Sequence, residues 1–173
     1  MHRYMTFHAP WSRKLGYSTL LLILILFGAS TLGRMTIHDG DLFAAFMVSG
    51  VPLLLASGSS LFVIRGYIIT EESLFVQRLF WNTQIDLSNL SSCEVNPTAM
   101  ARSLRTFGNG GMFCISGYFH NNSLGNYRAF ATDPKLSVVL RFSDKIIVVT
   151  PDNPQQFVAA LRDIANGSMH SQP

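Results

Sequence analysis

The most chemically suggestive run of this 173-residue chain lies between Met100 and Cys114. Arg102 and Arg105 precede three glycines, Gly108, Gly110 and Gly111, with Met100, Leu104 and Phe107 interleaved. Glycines beside cations can cradle phosphate, because bare backbone N–H groups approach the oxygens closely. A nucleotide-phosphate loop, however, requires a lysine and a hydroxyl after its glycines and then the start of a helix. Met112 and Phe113 occupy those places, the residues beyond are strand formers, and the dinucleotide spacing of glycines fails as well. The glycines are therefore expected to permit positive φ in a turn or bulge that feeds a strand. Arg102, Arg105, Phe107, Gly108, Gly110 and Gly111 remain a candidate loop for an anionic lipid or a partner, weighed against solvated arginines. Two arginines beside a membrane supply only about 2 kcal/mol of attraction.

Catalytic sets are scarcer still. Cys114 and His120 are near in sequence, but Cys114 falls in mid-strand and no third group is placed to orient a base. His2, His8, His38, His120 and His170 contain no pair at metal-ligand spacing. No catalytic, cofactor-binding or metal-binding residue is assigned, and the chain is not expected to be an enzyme. From Arg65 onward there are nine basic and eight acidic residues, a net of +1, which argues against a nucleic-acid partner. Two cysteines, Cys93 and Cys114, suit free thiols in a reducing compartment.

The elements that hold these residues divide the chain in two. Leu15 to Gly33 is a 19-residue run without charge and Leu42 to Ile64 a 23-residue one. As helices they would be about 28 and 34 Å long, enough to cross a hydrocarbon core. The second run is diluted by serine and glycine, so its alternative is a buried helix or a strand pair. Its small residues Ala45, Ser49, Pro52, Ala56 and Ser60 line one helical face, and Ala29 and Gly33 offer a matching pair, which suits close helix packing in lipid. Arg3, Arg13 and Lys14 before the first run and Arg65 after the second, against a connector that carries Arg34 with Asp39 and Asp41, put both termini on the cytoplasmic side of the plasma (inner) membrane. Tyr4, Phe7, Trp11 and Tyr17 fall where an aromatic belt would lie. A cleaved signal sequence is the competitor, but Phe27 to Gly33 is a poor cleavage site that lacks the small-x-small alanines. No acid or base lies within either run, which argues against an ion pathway.

Beyond Arg65 short apolar runs alternate with turn formers, the pattern of an all-β domain. Strands are expected at Gly66–Thr70, Ser73–Leu79, Leu90–Val95, Met112–Phe119, Gly125–Thr132, Leu136–Phe142 and Lys145–Thr150, the last three as an antiparallel meander. A helix follows, capped by Asp152 or Asn153, with Phe157, Leu161 and Ile164 on its apolar face and Asn166-Gly167 at its end.

With Gly66–Val76 as an opening hairpin, Arg105–Phe113 before the central strand, and Ser116–Asp133 and Val148–Leu161 completing the pattern, residues 65–166 resemble the bacterial pleckstrin-homology-like domains. That resemblance implies a bent barrel of about seven antiparallel strands capped by a C-terminal α-helix, and a binding or assembly role. The first hairpin turn departs from lipid-binding members. Thr70-Glu71-Glu72-Ser73 is acidic and would repel a phosphate. The organisation expected is therefore a basic, aromatic cytoplasmic tail over residues 1–14, a transmembrane hairpin over 15–64 with spans 15–33 and 42–64, the domain over 65–167, and a disordered tail over 168–173. The function expected is protein interaction or self-assembly at the membrane, through a barrel edge or the Arg102–Gly111 loop. Recognition of an anionic lipid headgroup or small ligand is the alternative. The lipid bilayer and a protein partner or second copy are the partners implied.

Overall fold

A computed structural model describes residues 4–35, 37 and 41–169. It contains an N-terminal apolar helix, a second apolar helical segment, a β-rich domain of two sheets and a C-terminal helix. Helix α1 is Arg13–Met35. It starts two residues before the charge-free run because Ser12 caps it, its Oγ accepting from Leu15 N at 3.1 Å. The second segment is helical over Leu42–Ser60. Asp41 caps its first turn, α2 (Leu42–Ala45), by accepting from Ala44 N. A π-helical turn, Phe46–Gly50, leads into α3 (Val51–Ser60), whose second residue is Pro52. Proline has no N–H and crowds the carbonyl four residues back, and the wide turn absorbs that conflict. The helix stops at Ser60, short of the expected Ile64, because Ile64 is wholly buried in the domain core.

The two helical segments pack along the small-residue face. Ser49, Pro52 and Ala56 line a cleft opposite Ser30 and Thr31, and a Cβ on Gly33 would strike Val48. Ala29, expected in this seam, is exposed. By length and apolar composition both segments suffice to cross a membrane.

The domain departs from the expected strand list in three places. Strand β1 (Met5–His8) lies within what reads as a tail. It pairs antiparallel with β2 (Gly66–Ile69), Phe7 opposite Tyr67. Phe7 is thus a core residue, edge-on to Phe157 at 5.0 Å, and belongs to no aromatic belt. β3 (Ser73–Gln77) forms the expected hairpin with β2 and then pairs with β4 (Asn82–Asp86). The latter is polar and buries only Ile85, so its sequence shows no alternation to detect. The second sheet holds β5 (Leu90–Val95), β6 (Leu104–Met112), β7 (Cys114–Asn121), β8 (Gly125–Ala131), β9 (Val138–Phe142) and β10 (Ile146–Val149), in the order β5-β9-β10-β8-β7-β6.

The glycine-rich run is the third departure. It is a strand and not a loop. Nor do the last three strands form a meander. β10 lies between β9 and β8 and runs parallel to β8, so the ten strands of the described residues form two sheets with one parallel pair. The reason is in β10 itself. Val148 buries on one face of the sheet while Ile147 and Val149 bury on the other, and a strand apolar on both faces belongs in the middle.

Helix α4 (Pro154–Met169) seals the main core with Phe157 and Leu161 and packs on β5. Asn153 caps it, its Oδ1 accepting from Gln156 N at 3.1 Å. The helix continues through Asn166-Gly167, so residues 168 and 169 are helical and not tail. The remainder of that tail, like residues 1–3, lies outside the described residues.

Candidate functional site

The candidate site grows from the junction of helices and domain. Strand β1 leads into α1, and five residues separate the end of α3 from the start of β2. Ala9 N donates to Arg65 O at 3.2 Å, so the chain leaves the domain for the helices and returns at one place.

The β6–β7 hairpin rises beside this junction. Its tip is held to α1, where Phe113 N donates to Thr19 Oγ1 at 3.0 Å and Phe113 meets Trp11 edge-on at 6.2 Å. Phe113 itself takes φ +63° at the turn. Gly108 and Gly117 stand opposite one another across the hairpin at φ +111° and +149°. A Cβ on Gly108 would collide with the Ser116 carbonyl oxygen and one on Gly117 with that of Phe107, so the close crossing of these strands requires both glycines. The register of the hairpin is irregular between Arg105 and Phe107 and again between Gly110 and Met112, and the second irregularity falls at the glycines where the sequence places a turn or bulge.

Between this hairpin and the last turns of α3 lies a recess of about 640 Å³. Leu54 and Leu55 of α3 and Phe62 in the turn after it form one wall, and Arg78, Arg105 and Arg128 face it from the domain. Arg78, just past β3, is only 7% exposed. Its Nη1 donates to Phe62 O at 2.9 Å, its Nη2 to Ser116 Oγ at 3.0 Å and its Nε to Thr83 Oγ1 at 3.3 Å. Its guanidinium also lies against the Phe62, Trp81 and Phe130 rings. Arg128 shares the Phe130 ring, at 4.7 Å against 5.5 Å for Arg78. Among the described residues no carboxylate pairs with Arg78, Arg105 or Arg128, and none lines the recess. Burial lowers the Arg78 pKa, and the charge of Arg128 pushes it the same way.

Of the residues singled out from sequence, Arg105, Phe107 and Gly108 line this recess. Arg102 does not. It occupies the turn before β6 with φ +52°. Gly110 and Gly111 lie towards the end of β6, where Gly110 pairs with Ile115. Arg78 and Arg128 escaped the sequence reading. Arg78 had one signal, a lone cation between Val76 and Leu79-Phe80-Trp81 with no acid nearby. Arg128 had none beyond strand alternation.

Cys114 and His120 do not meet as a pair. Cys114 is fully buried and burial pushes its thiol up to about 11 despite the nearby Arg78, so it is a neutral core group. His120 is exposed and its Nδ1 bonds Asn126 Oδ1 at 2.8 Å. Burial raises the Cys93 pKa too, and both cysteines are free thiols.

A second recess, about 500 Å³, lies between β4 and the β8–β10 pair and is lined by Gln84, Asp86, Asn126, Asp144 and Lys145 among others. Its mixed charges are ordinary surface chemistry. The outer side of β4 is an open sheet edge.

A two-sheet β domain closed by a C-terminal helix and joined to a pair of apolar helices is the class of protein these features define. Residues 65–165 match the family described as Bacterial PH domain, more than half of the chain, and the protein belongs to that family. No curated protein and no solved structure matches it.

Proposed function

We propose that this protein is a membrane-anchored, non-catalytic binding module of the plasma (inner) membrane, with both termini and the PH domain on the cytoplasmic side. One observation carries the reading. β1 and β2 pair directly, so the helices leave and re-enter the domain together, as a two-span hairpin with both flanks on one side requires. The basic flanks Arg13, Lys14 and Arg65 give that side its cytoplasmic sense. The PH family supports a binding or scaffolding role, here protein interaction or self-assembly. Its natural surface is the open edge of β4, since an exposed strand is a template for another strand.

Paired C-terminal reporters, one active only in the cytoplasm and one only outside it, test the topology. Activity of the external reporter would sink it. A photo-crosslinking residue in place of Gln84 tests the edge. Discrete adducts are expected in cells, and none at residue 84 or its β4 neighbours would remove the protein-interaction reading. A second reading, recognition of an anionic headgroup or small ligand, is favoured by the arginine-lined recess.

A further inference from the structure

The recess beside α3 contains three guanidinium groups and no compensating carboxylate among the described residues. Two of them converge on one ring, Phe130, and one of those two is almost wholly out of water. Like charges gathered in a low-dielectric place repel, and a buried charge without a counter-charge is costly even when its hydrogen bonds are made. Arg78 has its hydrogen bonds, to Phe62, Ser116 and Thr83, but no anion. The counter-ion this arrangement wants is therefore external to the chain. Guanidinium groups match the oxygens of phosphate, and three of them exceed what a single carboxylate would neutralise.

The other wall decides what the anion is attached to. Leu54 and Leu55 on α3 are more than half exposed, and Phe62 lies in the turn just past the end of that helix, so the recess runs from cationic at the domain to apolar along α3. That is the polarity sequence of a lipid, from headgroup to acyl chain. Phe107, three-quarters exposed, and the Leu79-Phe80-Trp81 turn flank the same end of the domain. Trp81 meets Phe62 edge-on at 5.5 Å, which puts this turn at the base of α3, where aromatic residues sit at a membrane surface. The site is remote from the acidic turn Glu71-Glu72. That turn joins one end of β2 and β3, whereas Gly66 and Arg78 stand at the other.

We infer that this recess binds an anionic, phosphate-bearing amphiphile, its phosphate held by Arg105 and Arg128 over the charge of Arg78 and its apolar chain laid along Leu54, Leu55 and Phe62. Arg78 also fixes the recess in place, since it ties the base of α3 at Phe62 to β7 at Ser116. The inference rests on the membrane-anchored reading for its source of ligand, but the binding chemistry itself does not need a bilayer.

Trp81 supplies a reporter, and Trp11→Phe leaves it as the sole tryptophan. The full-length protein in a neutral maltoside detergent is titrated with short-chain phosphatidylglycerol, short-chain phosphatidylcholine and inorganic phosphate while Trp81 fluorescence is followed. Saturable binding of the phosphatidylglycerol is expected, at least tenfold tighter than the phosphatidylcholine and tenfold tighter than phosphate alone. The Arg105→Gln/Arg128→Gln double variant, both positions exposed, is expected to weaken it tenfold or more with an unchanged circular dichroism spectrum. Equal binding of phosphate would overturn the amphiphile in favour of a free anion. No saturable binding, or equal affinity in the double variant, would overturn the site. Carbonate extraction of cell membranes tests the anchor separately. A protein that carbonate releases but that still binds the lipid loses the anchor and keeps the site, whereas a carbonate-resistant protein that binds nothing loses the site and keeps the anchor.

Discussion

Two buried polar groups touch Phe130, one at its backbone carbonyl and one at its ring, and they are built to opposite ends. Tyr67 is neutral and closed in. Its hydroxyl donates to Phe130 O at 2.6 Å, receives Thr150 N at 3.1 Å, and lies against Thr150 Oγ1, which in turn accepts from Thr132 N. Burial pushes the Tyr67 pKa up to about 12, so the group stays uncharged and the network fully occupied. Arg78 is charged and lies at the floor of an open recess. Its hydrogen bonds are made, its charge is not balanced, and a second cation shares its aromatic neighbour. Hydrogen-bond satisfaction and charge compensation are separate conditions. Where both are met the site belongs to the core. Where only the first is met the site has room for a partner.

The sharpest way to break this contrast is at the glycine pair under the open site. Gly117→Val forces a side chain into the Phe107 carbonyl at φ +149°. Strain and overpacking together are expected to cost about 3–4 kcal/mol, read as a fall in unfolding temperature and loss of amide protection in β6 and β7, with β9 and β10 less affected.

Alkali attacks the closed side. Cys114 moves from 9.0 to about 11 and Tyr67 from 10.0 to about 12 on folding. A raised acid pKa means the unfolded chain loses the proton first. The stability from each is therefore whole below its unfolded value and lost as pH rises through its folded one. On the order of 2–3 kcal/mol for each should disappear between roughly pH 9 and 12, and thermal unfolding across that range checks it. Tyr67→Phe should remove part of this alkaline slope while costing about 1–2 kcal/mol at neutral pH, because Phe130 O and Thr150 N lose their partner. It should leave lipid titrations unchanged.

Smaller effects separate the two further. Thr19→Val removes the acceptor of Phe113 N and is expected to cost about 1 kcal/mol, seen as faster amide exchange at the hairpin tip. Arg128→Gln is exposed and should alter stability by less than about 0.5 kcal/mol. A larger loss would mean that Arg128 belongs to the structural network and would erase the contrast.

Much of the architecture was legible from local pattern. The two apolar helices came from runs without charge, the cleft residues Ser49, Pro52 and Ala56 from their three- and four-residue steps, and the β2–β3 hairpin from two apolar runs around Glu71-Glu72. Strands β1 and β4 were not legible. Four residues, or one buried side chain, make no periodicity, and each exists because a neighbour offers it an edge. β6 was hidden by its glycines, which usually interrupt strands but here let two strands cross. Of the residues that line the recess, Arg105, Phe107 and Gly108 stand out in the sequence, and Arg105 is one of its three arginines. Arg78 and Arg128 are 23 or more positions from Arg105 in sequence and meet it only across the sheets.

The sequence by itself determined which segments are apolar enough to leave water, where helices are capped, and that the rest folds as β structure closed by a helix. These follow from periodicity and from the chemistry of single residues, which act over a few positions. Tertiary structure alone decided that β1 crosses over to β2, that β10 inserts beside β8, and that three arginines from three strands or strand ends converge on one recess. Those outcomes depend on which surfaces are left to be buried together, a property of the assembled chain.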